Sequence, residues 1–239
     1  MKIQMIGTGS LHAHSFSSCA LIDDAILLDC PNGFVKRLRN MGINFNKIKV
    51  MLITHFHGDH DFDMPFLLRE YKMLIKRTEP LILVAPKGAR ERYLKLYEMA
   101  FSKCEAIFDD AKIEIIEIDE TFLSKGIIID GYEISVYHVE HSVTAYGYKI
   151  SKENKVVAFT GDTVLCDNCY ELIKGAGMAF ADVTLPNAVP VHMGIADIEK
   201  LRDTFPNCKI MPTHMSEDAR EKLKQANFDV PKDGDVFVL

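Results

Sequence analysis

The sequence lacks any long apolar run, any low-complexity stretch and any internal repeat. A helix that spans a membrane needs about 18 or more consecutive apolar residues, and no segment of this chain approaches that length. Residues 2–6 have the pattern of a strand, whereas an export signal would place an apolar core behind basic residues, so we expect no export signal. With 239 residues and no linker, the chain is expected to form a single domain over 1–239.

Excess positive charge and a cysteine pattern typical of a disulfide framework are also missing. The net charge of −6 does not favour nucleic acid as a partner, so we expect none. The six cysteines are scattered along the chain, which favours reduced thiols over a disulfide framework when no export signal is present. Together these features predict a cytoplasmic protein without a membrane partner.

Short strands and helices alternate through most of the chain, as judged from the spacing of apolar residues. The predicted strands are residues 2–6, 18–22, 26–29, 48–53, 81–85, 113–118, 127–129, 132–138, 145–150, 156–159, 178–181 and 209–211. The predicted helices are residues 31–41, 64–77, 87–101, 168–175, 196–205 and 217–226. This mixture, rich in strands at its centre, predicts an α/β fold with two sheets and helices outside them.

The densest group of chemically active side chains is the run His55-Phe56-His57-Gly58-Asp59-His60. It follows directly after the apolar strand 48–53, whose rigid backbone would hold these side chains in place. His55 and His57 are two residues apart, so on extended backbone they point the same way and can bind one ion. Gly58 lets the chain turn, after which Asp59 and His60 can bind a second ion. The alternative is a polar loop with chance histidines, which poorly explains three histidines within six residues.

A two-metal site needs further ligands, and three candidates follow predicted strands. Asp162 comes after strand 156–159, His141 after 132–138 and His214 after 209–211. Ligands at strand ends can converge on one rim, and imidazole together with carboxylate suits zinc, manganese or iron. Asp162 also has an alternative interpretation as a helix N-cap, because a helical pattern follows it.

Together these motifs resemble those of the metallo-β-lactamase superfamily over nearly the whole chain. The resemblance rests on a strand followed by Thr-His-x-His-x-Asp-His, a later His before Gly-Tyr, then Gly-Asp-Thr and a late Thr-His. The segments at 141–148 and 231–234 are most similar to the ribonuclease Z and phosphodiesterase branch. The resemblance implies an αββα sandwich, in which two mixed β-sheets pack together with helices on the outer faces.

The same resemblance implies a role for each site residue. One of two divalent metal ions would be bound by His55, His57 and His141. The other would be bound by Asp59, His60 and His214. Asp162 would bridge the two ions, for which Zn²⁺ is the first expectation and Mn²⁺ or Fe²⁺ the alternatives. His192 matches a histidine that protonates the leaving group, and Asp182 stands where that branch has a glutamate that orients this histidine.

Such a site implies a metal-dependent hydrolase. A bridging hydroxide between two cations suits in-line attack on a phosphodiester, with His192 as the acid and Asp59 accepting a hydrogen bond from the nucleophile. The arm that grips tRNA in true ribonuclease Z is absent, since only residues 149–160 separate Tyr148 from Gly161. We therefore expect a small phosphodiester as the substrate. The alternatives are a lactone, thioester or carboxylic ester hydrolase, a tRNA 3′-end endonuclease, and a metal-binding sensor or scaffold without catalysis.

Four further features keep more than one interpretation. His14 belongs either to a substrate-pocket wall or to a polar loop. His138 is either a packed or surface histidine at a strand end, or it lies close behind a ligand. Cys166 and Cys169 form a single C-x-x-C, which is weak as a zinc site, and they are interpreted as reduced cysteines, with modest thiol reactivity as the alternative. The apolar segment 64–75 is expected to pack in the core. In relatives it also contributes to a dimer contact, so we expect a homodimer.

Overall fold

The structure is a computed structural model that describes residues 1–239. Its strands are β1 (Lys2–Gly7), β2 (Cys19–Ile22), β3 (Ile26–Leu28), β4 (Val50–Leu52), β5 (Leu81–Ala85), β6 (Ile113–Glu117), β7 (Ile127–Ile129), β8 (Tyr132–Val139), β9 (Ala145–Lys152), β10 (Lys155–Phe159), β11 (Met178–Asp182), β12 (Lys209–Thr213) and β13 (Val236–Val238). Its helices are α1 (Phe34–Asn40), α2 (Gly58–Asp61), α3 (Met64–Met73), α4 (Ala89–Ala100), α5 (Ile107–Asp110), α6 (Glu120–Lys125), α7 (Asp167–Ile173), α8 (Ile195–Thr204) and α9 (Glu217–Gln225).

The strands form two mixed sheets. The first sheet has seven strands in the order β13-β1-β2-β3-β4-β5-β6, and the second has six in the order β12-β11-β10-β9-β8-β7. In the first sheet β3, β4, β5 and β6 run parallel to one another. In the second sheet β10, β11 and β12 are parallel, whereas β9 is antiparallel to both β8 and β10. In the second sheet the three strands that precede candidate ligands, β8, β10 and β12, therefore run in one direction and finish at the same end of the sheet.

Side chains alternate between two apolar layers along the central strands, because successive residues of a strand face opposite sides of the sheet. In β4, Val50 and Leu52 pack between the two sheets, whereas Met51 faces the outer helices. In β10, Phe159 packs between the sheets and Ala158 faces the helices of the other side. Helices α1, α3, α4 and α5 cover the first sheet, and α7, α8 and α9 cover the second. The predicted α/β fold with an αββα sandwich is confirmed.

Two tight turns connect antiparallel strands. Asp23 and Asp24 join β2 to β3 with positive φ angles of 47° and 58°. Glu153 and Asn154 join β9 to β10 in the same way, with φ angles of 50° and 63°. Two residues with positive φ are the geometry of a type I′ hairpin. A two-residue turn thus joins β9 to β10, as the short spacing between Tyr148 and Gly161 predicts.

Four elements were not predicted. Helices α2, α5 and α6 span only four to six residues each, too few to show a helical repeat. Strand β13 pairs with β1 from the opposite end of the chain. The local spacing of apolar residues does not predict such a long-range pairing. None of the helices is long and apolar enough to cross a membrane.

Candidate active site

Three histidines form a first cluster where the two sheets meet. His55 and His57 follow β4, and His141 follows β8. The distance between His55 Nε2 and His57 Nδ1 is 3.1 Å, and between His141 Nε2 and His57 Nδ1 it is 3.2 Å. The expectation that His55 and His57 point the same way on extended backbone is therefore confirmed. Three ring nitrogens this close together could hold one metal ion.

A second cluster combines two residues of α2 with one from the far end of the chain. Asp59 and His60 lie in α2, and His214 directly follows β12. His214 Nε2 lies 3.4 Å from His60 Nε2 and 3.3 Å from Asp59 Oδ2. These three residues offer one carboxylate oxygen and two ring nitrogens, all close enough to hold one ion.

Asp162 lies between the two clusters. It is buried, and it follows β10 after Gly161, whose φ of +63° turns the chain toward the site. Its Oδ2 is within 3.8 Å of ring nitrogens from both clusters, those of His55, His60 and His214. The alternative that Asp162 is a helix N-cap is wrong, because α7 begins at Asp167 and its N-cap is Cys166.

The outer nitrogens of four histidines show which way their lone pairs face. His55 Nδ1 bonds to Thr54 Oγ1, and His60 Nδ1 bonds to Asp29 Oδ2. His141 Nδ1 bonds to Val191 O, and His214 Nδ1 bonds to Thr184 Oγ1. A carbonyl or carboxylate oxygen can only accept, and both threonine hydroxyls already donate to aspartates. Each Nδ1 therefore carries a proton, and in the neutral form of each imidazole, the form that binds a metal, the Nε2 lone pair faces the centre. Hydrogen-bonded outer nitrogens of this kind orient histidines for metal binding.

Asp29 is a residue of the site to which the sequence motifs assign no role. Its carboxylate accepts hydrogen bonds from His60 Nδ1 and from the backbone and hydroxyl of Thr54, which in turn accepts from His55. One buried carboxylate thus orients a histidine of each cluster. Asp29 has a φ of +62°, which is unusual outside glycine and is consistent with a constrained functional position.

Charges in the two clusters favour a bound cation. Burial, followed by the neighbouring His60, holds the pKa of His55 well below its ordinary value. Burial opposes charge on His214, yet Asp162 and Asp182 raise its pKa to about 10. Burial also opposes charge on Asp162, but His214 and His60 hold its pKa well below the ordinary value. The carboxylates therefore stay ionised and favour positive charge at the centre, and the donor set of imidazole and carboxylate suits Zn²⁺, Mn²⁺ or Fe²⁺.

His192 and Asp182 lie beside the clusters as a bonded pair. Asp182 ends β11 and is fully buried, and its Oδ2 accepts a hydrogen bond of 2.8 Å from His192 Nδ1. The same carboxylate accepts from the backbone nitrogen of Thr163 and from the hydroxyl of Thr184. Burial is the largest single effect and lowers the pKa of His192, but the hydrogen bond to Asp182 and the charges of Asp182 and Asp162 together raise it more, so the net shift is upward. The shorter aspartate therefore reaches His192 without the extra methylene of glutamate.

The loop between β11 and α8 holds His192 in place. His192 and Val189 exchange two backbone hydrogen bonds, and the backbone nitrogen of Met193 donates to Thr163 O. A Cβ atom on Gly194 would lie 2.2 Å from the backbone nitrogen of Ala188, so only glycine permits this close approach. The loop also supplies Val191 O, which bonds to His141, so one segment positions both a ligand histidine and the candidate acid.

The remaining histidines lie outside the two clusters. His14 is exposed, and its backbone nitrogen donates to Glu217 Oε1. His138 is exposed on β8 and packs edge-on against Tyr146 at 5.7 Å. Behind the ligands lies a cavity of about 20 Å³, which has room for a water molecule but not for a substrate. A substrate must therefore approach from the side where His57, Asp59 and His141 are partly exposed.

Comparisons with known proteins agree with the geometry. A family model described as Anti-Pycsar protein Apyc1 matches residues 1–231. A ribonuclease Z from Agathobacter rectalis is 38% identical over 125 residues, which cover 52% of this chain but only 38% of that relative's length. A ribonuclease Z from Saccharolobus islandicus is 27% identical over 248 aligned positions, covering 87% of this chain and 85% of that protein.

Among solved structures, the metallo-β-lactamase fold protein YhfI from Bacillus subtilis matches with a TM-score of 0.79. It is 17% identical, and the match covers 99% of this chain and 98% of that one, so it shows a shared fold. The resemblance to the metallo-β-lactamase superfamily and its ribonuclease Z branch is thereby confirmed.

Proposed function

We propose a function on the basis of the family to which this chain belongs, the anti-Pycsar protein Apyc1 family. It is a metal-dependent hydrolase of the metallo-β-lactamase superfamily, and we propose a small phosphodiester as its substrate. The observation that carries the proposal is the arrangement of two ligand clusters around Asp162. The family's description names an action against Pycsar, and hydrolysis of a small phosphodiester is the chemistry by which this chain would exert it.

There are seven proposed metal ligands. They are the three residues of each cluster and the carboxylate between the clusters: His55, His57 and His141, then Asp59, His60 and His214, and Asp162. Two divalent ions held there would supply hydroxide from water at neutral pH and neutralise charge that develops on phosphate oxygens. Asp59 is partly exposed at the mouth, where its carboxylate can also accept a hydrogen bond from the attacking water. Asp29, Thr54 and Thr184 keep the ligand imidazoles oriented.

The proposed acid is His192. Its Nδ1 is committed to Asp182, so its Nε2 is the nitrogen that can hold a proton toward the substrate. The His192 ring lies 5.1 Å from the His141 ring and 5.5 Å from the His214 ring, between ligands of both clusters. From there it can give a proton to the departing oxygen of a phosphodiester. Asp182 acts by positioning His192.

Two other substrate classes compete with a small phosphodiester. The same site chemistry can open lactones, thioesters and carboxylic esters. RNA also competes, because the curated relatives are named ribonuclease Z. The two-residue turn at Glu153 and Asn154 and the net charge of −6 favour a small substrate over tRNA.

A substrate panel tests the proposal. We expect metal-loaded protein to hydrolyse bis-(p-nitrophenyl) phosphate at least about tenfold faster than p-nitrophenyl acetate or a γ-lactone, because two cations stabilise an in-line displacement at phosphorus. Chelation should abolish the activity, and added Mn²⁺ or Zn²⁺ should restore it. Precursor tRNA is included in the panel as the nucleic-acid substrate, and we expect no cleavage of it. An absence of phosphodiester turnover with every metal would overturn the proposal, and metal binding without turnover of any substrate would favour a sensor or scaffold.

We also propose that the protein is a homodimer formed through α3. Met64, Leu67 and Leu68 pack in the core as predicted, but Phe66, Leu74 and Met73 are each more than half exposed. These three side chains line one surface groove, and exposed apolar side chains grouped in this way mark an interaction site.

Light scattering after size exclusion should give twice the 27.0 kDa chain mass. Phe66→Glu combined with Leu74→Glu should give a monomer, because both charges would be buried in the interface. Ile128→Glu, at a residue that is 75% exposed on β7, is the matched control and should leave the dimer intact. If the unmodified protein is a monomer at micromolar concentration, the exposed apolar surface of α3 does not form a homodimer.

A further inference from the structure

A pair of thiols lies just outside the ligand clusters and takes no part in the proposed hydrolysis. Cys166 Sγ and Cys169 Sγ are 3.6 Å apart, within one C-x-x-C at the start of α7. Cys169 is fully buried, whereas Cys166 is partly exposed. Of the other four cysteines, only Cys104 is accessible, so Cys166 and Cys104 are the two thiols that solvent can reach.

The two thiols differ in their surroundings. Cys166 Sγ faces the Cys169 thiol, the Thr163 hydroxyl at 3.9 Å, and the backbone N–H groups of Cys169 and Glu140. These donors, the Cys169 thiol first among them, lower the pKa of Cys166 to about 5. The same contact together with burial raises the pKa of Cys169. An accessible thiolate beside a buried thiol is the arrangement in which one sulfur attacks and the other resolves.

We propose that Cys166 and Cys169 form a redox modification site whose oxidant is a small hydroperoxide. The Cys166 thiolate attacks the peroxide's terminal oxygen, the O–O bond breaks, and Cys166 becomes a sulfenic acid. The alkoxide or hydroxide that leaves takes up a proton from the solvent to become an alcohol or water. Cys169 sulfur then attacks Cys166 sulfur, and the sulfenic oxygen leaves as water with the Cys169 proton. The net change oxidises two thiols to one disulfide and reduces one hydroperoxide. A thiol reductant reverses it by exchange.

The pair is connected to the candidate active site through Thr163. The Thr163 hydroxyl accepts from the backbone nitrogen of Glu140, the residue before His141, and its backbone nitrogen donates to Asp182. Its carbonyl accepts from the backbone nitrogen of Met193, the residue after His192. Thr163 also directly follows Asp162 in the chain. The segment beside the thiols therefore contacts the neighbours of a ligand, the bridging carboxylate and the acid.

Disulfide formation would displace this segment. The two sulfurs must approach from 3.6 Å to the bond length of about 2.05 Å, and Cys166 would give up its place beside the Thr163 hydroxyl. Catalytic groups tolerate little displacement, since an error of about 1 Å can cost 10²-fold in rate. The oxidised protein is therefore the slow form. This consequence for rate rests on the proposed hydrolase function, whereas the thiol chemistry does not.

The test treats reduced, metal-loaded protein with stoichiometric hydrogen peroxide and maps the products by mass spectrometry. We expect a Cys166–Cys169 disulfide, seen as the loss of two hydrogen atoms, before Cys104 is modified. In Cys169→Ser, dimedone should trap the sulfenic acid on Cys166. In Cys166→Ser, the remaining thiol of Cys169 should not be oxidised rapidly. Oxidation of Cys104 ahead of the pair, or no disulfide at all, would overturn the proposal whether or not any substrate is hydrolysed.

The rate is then compared as the ratio of peroxide-treated to untreated protein for each variant. The unmodified protein and Cys104→Ser should each lose about tenfold in rate, with recovery after tris(2-carboxyethyl)phosphine. The double variant Cys166→Ser/Cys169→Ser should keep a ratio near one, which excludes oxidation of the metal ions or ligands. An unchanged ratio in a protein whose disulfide has formed would overturn the link to catalysis.

Discussion

Asp162→Ala is expected to reduce bound metal from two ions to one or fewer per chain and to slow phosphodiester hydrolysis at least about 10³-fold. Its Oδ2 faces both clusters, at 3.8 Å, 3.3 Å and 3.4 Å from the Nε2 atoms of His55, His60 and His214. Two cations contribute several kcal/mol of transition-state stabilisation, and each 1.4 kcal/mol or so is a factor of ten in rate. Removing the ligand common to both clusters should therefore cost more than removing a ligand of one.

Equilibrium dialysis followed by elemental analysis measures the metal, and the rate with bis-(p-nitrophenyl) phosphate measures the chemistry. Asp63→Ala is the matched control, because Asp63 is also a buried carboxylate but binds only the backbone nitrogens of Gly33 and Val35. Losing that carboxylate should lower the melting temperature without changing metal content. Two ions retained in Asp162→Ala, with a rate within tenfold of the unmodified protein, would mean that Asp162 does not bridge them.

The sequence predicts most of the candidate ligands because they stand beside strands. A buried strand such as β4 is easily recognised, and the side chains after it must project from a fixed backbone. Spacing of two residues on extended chain then makes His55 and His57 converge, as the 3.1 Å between their nitrogens confirms. The order of the strands does the same for two further ligands, since Asp162 follows β10 and His214 follows β12, two parallel strands of one sheet that flank β11.

The groups that orient the ligands could not be predicted in the same way. Asp29 is 31 residues from His60, Thr184 is 30 residues from His214, and Val191 is 50 residues from His141. No local repeat connects such pairs, and a backbone carbonyl such as that of Val191 carries no residue signature at all. The only hint was Asp29 at the end of an apolar strand, where a carboxylate has no reason to be buried unless it has partners. These contacts exist only once the two sheets are packed together.

His192→Ala is expected to slow hydrolysis of a phosphodiester with an alkoxide leaving group about 10²–10⁴-fold, the usual contribution of a positioned general acid. A nitrophenyl phosphodiester should be affected far less, because nitrophenolate departs as a stable anion without a proton. The prediction depends on geometry, since His192 Nδ1 is held by Asp182 at 2.8 Å and only Nε2 is available to the substrate. Asp182→Asn should shift leaving-group dependence in the same direction by a smaller factor, because it removes the group that orients the imidazole.

Rates across a series of leaving groups of rising basicity distinguish an acid from a structural residue. Loss of the acid makes the variant's rate fall more steeply with leaving-group basicity, whereas loss of packing lowers every rate by the same factor. Metal content should stay unchanged in His192→Ala, because all seven proposed metal ligands are retained. His138→Ala is the matched control, since that histidine is exposed on β8 and should leave both slope and rate unchanged. A uniform loss across the series would assign His192 a structural role and leave the departing oxygen to be protonated by water.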